Sequence, residues 1–237
     1  MQKTKRHILC TRLLPEALLA EAAAQNICID VLSFIETKPV TNIATQTRIH
    51  ELFQKPIAAV FTSSNAVRAV AQLFQKPISW NVYCLANETA KTVTQLFQLP
   101  ISGTAPDAST LADVIIKNGE KKVFFFCGNL RREVLPQKLH AANISAEEIV
   151  VYETIETPNV VTKNYDAVLF YSPSAVQSFF SVNTLHNAVP LFAIGATTAE
   201  AIQKQVSNPV VVSKSADSKR LIQQVIHYFN KQNASFQ

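Results

Sequence analysis

Hydroxyl side chains recur at matched places in this chain. FTSSNAV occupies residues 61–67 and FYSPSAV residues 170–176, and both read as an apolar strand ending in a helix start. Ser63, Ser64, Ser172 and Ser174 sit in these turns, and Thr89 in NETAKTV, with Thr197 and Thr198 in ATTAEAI, makes a second matched set. Hydroxyls beside the free N–H groups of a first helical turn can hold a carboxylate or another anion. The same residue types also cap helices with no ligand present. Ser174 with Gln177, and Thr197 with Glu200, have the spacing of a capping box. Two copies of the same hydroxyl-rich turns weigh toward a ligand.

The match has a fixed register. Phe61 and Phe170, Ser63 and Ser172, Ala66 and Ala175, Val67 and Val176, and Thr89 and Thr198 are all 109 residues apart. Further on, Leu111 and Leu221 are 110 apart, a slip of one residue in a loop. A period this long is no solenoid of short repeats. It means two copies of one domain, and 237 residues suffice for two small ones.

The elements that must position these turns follow from apolar runs. HILC (7–10), ICIDVLSF (27–34), IAAVFT (57–62), WNVYCLA (80–86), KKVFFFC (121–127), EEIVVYET (147–154), DAVLFY (166–171), VPLFAI (189–194) and NPVVVS (208–213) read as strands. Helix-length segments such as LPEALLAEAAAQ, NAVRAVAQLF, ETAKTVTQLF, LRREVLPQKLHAA and SKRLIQQVIHYF lie between them. Alternation of this kind predicts parallel sheets covered on both faces. In such sheets ligands bind at the carboxyl ends of the strands, where the hydroxyl turns lie.

Two extended stretches, VLSFIETKP (31–39) and IVVYETIETPN (149–159), each run through Ile-Glu-Thr toward a proline and enclose the first copy. The second copy then has to borrow the N-terminal strand and helix to reach an equal count. The predicted fold class is α/β: two similar doubly wound parallel-sheet domains joined by a two-strand ladder, the second inserted in the first. Residues 1–36 with 156–237 form the discontinuous domain and 37–155 the inserted one. A ladder of two crossings would let the lobes hinge over a cleft.

Composition narrows the function classes. Hydrophobic residues make up 48% and charged residues 16%, which suits a globular chain with a sizeable core. Arg12 interrupts the first apolar run before a signal-peptide core develops, and no apolar stretch approaches the roughly twenty residues of a membrane span. The chain is expected to be cytoplasmic. Cys10, Cys28, Cys84 and Cys127 are scattered without ligand spacing and read as buried free thiols, so no metal is expected. Only four glycines, no GxGxxG and no P-loop argue against a nucleotide enzyme. Lys and Arg exceed Asp and Glu, 22 to 17, which suits an anionic small molecule. No RNP or helix-turn-helix pattern accompanies that excess, so no nucleic-acid partner is expected.

The chain resembles the uroporphyrinogen-III synthase family over nearly its whole length. CTR near the start, FTSSNAV, the ETA segment, FFCGNLRREVLP, VVYET, FYSPSAV and AIGATTAEAI follow the family's order and spacing. FFCGNLRREVLP followed by VVYET and SPSAV is the specific combination. Departures are Ala86 where glycine is common, Tyr171 where threonine is common, and Ala196 where proline often precedes TTA.

The resemblance implies a cofactor-free lyase of heme biosynthesis that cyclises the linear tetrapyrrole hydroxymethylbilane, with loss of water and inversion of ring D. It implies Tyr152 as the general acid, since a phenol donates a proton while neutral at pH 7; an aromatic residue also simply suits a strand. Arg12, Ser63, Ser64, Thr89, Gly128, Asn129, Ser172, Ser174, Thr197 and Thr198 become candidates to hold substrate, with Arg131 and Arg132 beside them or else solvated. The histidines take no chemistry, and the chain is expected to act as a monomer. A non-catalytic two-lobed receptor for an anionic small molecule is the rival class.

Overall fold

In the computed structural model, which describes residues 5–74, 78–215 and 217–235, the apolar runs become strands buried from both sides. The chain opens with β1 (Arg6–Cys10), α1 (Glu16–Ala23), β2 (Ile27–Val31), β3 (Ile35–Pro39) and α2 (Ile43–Phe53). It continues through β4 (Ile57–Phe61), α3 (Ser64–Ala71), β5 (Trp80–Leu85), α4 (Glu88–Phe97), β6 (Ile101–Ala105), α5 (Ala108–Lys117), β7 (Lys122–Gly128), α6 (Val134–Ala141) and β8 (Ser145–Glu156). It ends with β9 (Ala167–Phe170), α7 (Pro173–Phe180), β10 (Leu191–Ala193), α8 (Ala196–Gln203), β11 (Val210–Val212) and α9 (Ser218–Ser235).

Two compact units result, one of Met1–Glu36 and Ile155–Gln237, the other of Thr37–Thr154. The first holds a parallel sheet in the order β11-β10-β9-β1-β2. The second holds β3-β8-β7-β4-β5-β6, parallel from β8 to β6. Val40 N–H donates to the Val151 carbonyl and Thr157 N–H to that of Phe34, so β3 runs antiparallel to β8. Each sheet has a switch point where the strand order reverses: between β1 and β9 in the first, between β4 and β7 in the second.

Strand alternation supplies two cores per unit. In β4, Ile57, Ala59 and Phe61 join a cluster with Phe53, Trp80, Phe97 and Phe126. Ala58 and Val60 point the other way, to Tyr83, Leu111, Phe125 and Leu139. In the first unit Ile8 and Cys10 face Leu18 and Ile222, while Leu9 packs with Phe170 and Phe179. Burial on both faces is why these strands read as continuous apolar runs.

The structure adds a second register to the first. Cys10 and Cys127, Leu13 and Leu130, Leu18 and Leu135, Asn26 and Asn143, and Ile27 and Ile144 are each 117 residues apart. They match β1-α1-β2 to β7-α6-β8 in sheets of corresponding order. Asn26 and Asn143 both turn left-handed after their helices, at φ 60° and 58°, a conformation asparagine tolerates. The two units are therefore circular permutations of one another.

Several local expectations are corrected. LRREVLPQKLHAA is helical only from Val134, because Pro136 is tolerated in the first turn and would clash with the carbonyl four residues back in a helix begun at Leu130. Ser172, not Ser174, caps α7: its Oγ accepts from Ala175 N–H at 3.2 Å, and Pro173 is pre-set for the first helical position. Gly195, not Thr197, is the N-cap residue of α8. β6 escaped the sequence reading. Cys10, Cys84 and Cys127 are buried free thiols as expected, whereas Cys28 is only half-buried.

Glu147 ties β8 to two neighbours. It accepts from Arg48 Nε at 2.7 Å and Nη2 at 3.0 Å, and pairs with Lys122 Nζ at 2.8 Å. The bonds from Arg48 first, with those from Lys122, pull its carboxyl down to about 2. A carboxylate with a lowered folded value adds stability that is complete above the ordinary range and is lost as pH falls toward 2. Urea midpoints of the wild type should fall more steeply between about pH 4.5 and pH 2 than those of Glu147→Gln. Parallel midpoints would show that the pair contributes nothing.

Candidate active site

The switch point of the second unit is a groove of about 370 Å³. Thr62 and Ser63 enter it after β4, Asp107 after β6, Gly128, Leu130, Arg131 and Arg132 from the end of β7 onward, and Tyr152 from β8. Ser63 is the N-cap of α3, its Oγ accepting from Asn65 N–H at 3.2 Å, so the hydroxyl is engaged and the helix start is pinned beside the groove.

Tyr152 is placed by Gly128. The two are opposite one another where the β7–β8 register shifts. A Cβ on Gly128 would stand 2.4 Å from Tyr152 Cζ and 2.8 Å from its hydroxyl, so the ring lies flat on the bare glycine. Asn129 then locks this end of the ladder: its N–H donates to the Tyr152 carbonyl at 3.2 Å, and its Oδ1 accepts from Thr154 N–H at 2.9 Å. Its side chain therefore serves the backbone that carries Tyr152. Arg131 is held by Glu148 and Glu133.

Other candidates lie elsewhere. Ser64 is the first residue of α3, while Thr89 and Thr198, in the first turns of α4 and α8, are buried at 6% and 2% exposure. Both side chains are withdrawn from solvent. At the first unit's switch point, Thr11 Oγ1 donates to the Leu169 carbonyl at 2.9 Å, bridging β1 and β9. The Arg12 guanidinium is exposed and lies 5.6 Å from the centre of the Tyr171 ring. Ser172 and Ser174 touch through their hydroxyls at 3.0 Å. Thr197 is half-buried at the start of α8.

The sequence reading missed Asp107 and the β6–α5 turn, although Asp107 ahead of the apolar run LADVII carries the signature of a helix N-terminus. Asp107 accepts from Thr110 N–H and Thr110 Oγ1, both at 2.9 Å, which hold its carboxyl below the ordinary range. Burial pushes the Cys10, Cys84 and Cys127 thiols up to about 11, which leaves them neutral and poor nucleophiles at pH 7. Among the described residues no three His, Cys, Asp or Glu side chains gather as metal ligands, and no helix is long and apolar enough to cross a membrane.

Two permuted, doubly wound α/β units with capped helix starts at their switch points, and a phenol seated at one of them, define a duplicated two-domain enzyme scaffold. The family model described as uroporphyrinogen-III synthase HemD matches residues 16–223. The chain belongs to the uroporphyrinogen-III synthase family, lyases of tetrapyrrole biosynthesis. It is 25% identical over 214 residues to the uroporphyrinogen-III synthase of Saccharomyces cerevisiae, covering 78% of this chain and 75% of the yeast one. The fold is shared with a uroporphyrinogen-III synthetase from Helicobacter pylori, at TM-score 0.67 and 18% identity over 94% of this chain and 99% of that one. A mutant uroporphyrinogen III synthase from Thermus thermophilus superposes at TM-score 0.65 and 14% identity, over 96% and 99%.

Proposed function

We propose that this enzyme converts hydroxymethylbilane to uroporphyrinogen III in the cytoplasm, as a monomer, with Tyr152 as its proton donor. The substrate's terminal hydroxyl takes the phenolic proton and leaves as water, while the electron pair of ring A closes an electrophilic azafulvene. Ring D attacks through its substituted carbon. The spiro intermediate reopens by breaking that carbon's original bond to the ring C bridge. The bridge carbon recloses at the free α-carbon of ring D, and the proton lost there replaces the one the phenol gave. Free substrate closes without inversion. Most of the work is therefore holding a flexible polyanion so that the unusual attack wins.

The observation that carries this reading is the Tyr152 ring seated on Gly128 in a switch-point groove beside a capped helix start. The helix start of α3, in the same unit, supplies backbone donors for acetate and propionate groups.

The test supplies enzymatically generated hydroxymethylbilane and resolves isomers I and III after oxidation. Wild type should give isomer III with no added metal or cofactor, and Tyr152→Phe should turn over at least about a hundredfold more slowly while binding product almost normally. Isomer I alone from folded wild type would leave a non-catalytic binding module. Full turnover by Tyr152→Phe would remove the proton-donor role and keep the synthase.

A further inference from the structure

The groove of the second unit carries charges of both signs, and the strand order separates them. Tyr152 and Arg131 enter it from β8 and from the end of β7, Asp107 from the turn after β6, with β4 and β5 between. Arg131 gives its Nε to Glu148 and its Nη1 to Glu133, so among the described residues its Nη2 has no partner and can meet an anion. Asp107 is exposed, and its two carboxylate oxygens accept from the N–H and the hydroxyl of Thr110. Each oxygen can still accept a second bond. Capping accounts for an acceptor at the start of α5, and asparagine or serine would supply one equally. It does not account for a full negative charge in a groove that has to receive a polyanion.

We infer that Asp107 is a further catalytic residue, its carboxylate accepting a hydrogen bond from the ring A nitrogen and stabilising the positive charge that develops there as water departs; this rests on the function proposed above. The acetate and propionate groups of the substrate are repelled by Asp107. Its pyrrole N–H groups are not, and each lies on the edge of its ring opposite the acidic side chains. A ring that turns its N–H edge to Asp107 therefore turns its acidic edge toward the end of the groove where Arg131 stands. When the C–O bond breaks, its electron pair goes to the oxygen, which takes the Tyr152 proton. The ring's electrons close the exocyclic double bond, and the nitrogen keeps its proton and takes up the positive charge. That charge is absent from substrate and product, so the contact with Asp107 is strongest in the transition state.

The experiment compares Asp107→Asn and Asp107→Ser with wild type for isomer III turnover, uroporphyrinogen III affinity and melting temperature. Both replacements keep a cap on α5, so melting temperatures should stay close to that of the wild type. Turnover should fall about ten- to a hundredfold in each variant. Product affinity should hold or improve, because the charge that repels the carboxylates is gone. Such a split between turnover and affinity marks an interaction made in the transition state. Wild-type turnover from either variant would overturn the inference. So would a loss of product affinity that matches the loss of turnover, or losses that track a fall in melting temperature. A wild type that gives isomer I alone would defeat the proposed function itself, whereas a wild type that makes isomer III beside indifferent variants defeats the role of Asp107 alone.

Discussion

Gly128→Ala should lower isomer III turnover about a hundredfold without unfolding the protein. The new methyl group would stand 2.4, 2.6 and 2.8 Å from Cζ, Cε2 and the hydroxyl of Tyr152. Contacts that short do not occur, so the ring must swing off its seat. Displacing a reacting group by about 1 Å is enough for a hundredfold loss. Gly128 is not among the residues with positive φ, so alanine brings no backbone strain and the effect reports the contact with the ring. Steady-state turnover checks it, and a double variant separates the cause. Gly128→Ala in the Tyr152→Phe background should cost little more, because the phenolic proton is already gone. Wild-type turnover from Gly128→Ala would show that the seat of the ring does not matter.

Phe126→Ala should cost about 3 to 5 kcal/mol of stability, the range for truncating a buried phenylalanine. Phe126 has no exposed surface and stacks between Phe61, at 5.1 Å and 12°, and Trp80, at 5.4 Å and 16°. Phe97 closes the group against Phe61 and Trp80, and Phe53 stacks on Trp80 at 5.3 Å. Removing this ring leaves a cavity that its two large, rotamer-limited neighbours, Phe61 and Trp80, cannot fill. Urea unfolding with and without the substitution measures the loss, and Phe126→Leu should lose much less because most of the volume remains. A cost below about 1 kcal/mol for alanine would mean that the stack relaxes into the gap. Phe126 stands two residues before Gly128 on β7, so activity should fall along with stability.

By itself the sequence determined the duplication and most of the sheet strands. The 109-residue register is a statement about spacing, which survives whatever the side chains do later. IAAVF, VFFF and AVLF read as strands because burial on both faces demands unbroken apolar runs, and that demand is visible in one dimension. β6 was not visible. ISGTA lies at the sheet edge, half of it exposed, and its glycine reads as a loop residue. Only packing shows why Gly103 is there: a Cβ would come within 2.6 Å of Val114 Cγ1.

The second register was hidden because permutation moved its partners out of order along the chain. The site was decided still later. Thr89 and Thr198 bear hydroxyls at the expected turns, but the rotation of a first helical turn carries them into the core, which no spacing rule reveals. Tyr152 and Gly128 are ordinary residues in separate strands. The seat exists because parallel pairing of β7 with β8, shifted at Cys127, lays one on the other. Spacing along the chain fixes which elements form. The contacts that hold a reacting group belong to pairs far apart in sequence, and only packing in three dimensions brings them together.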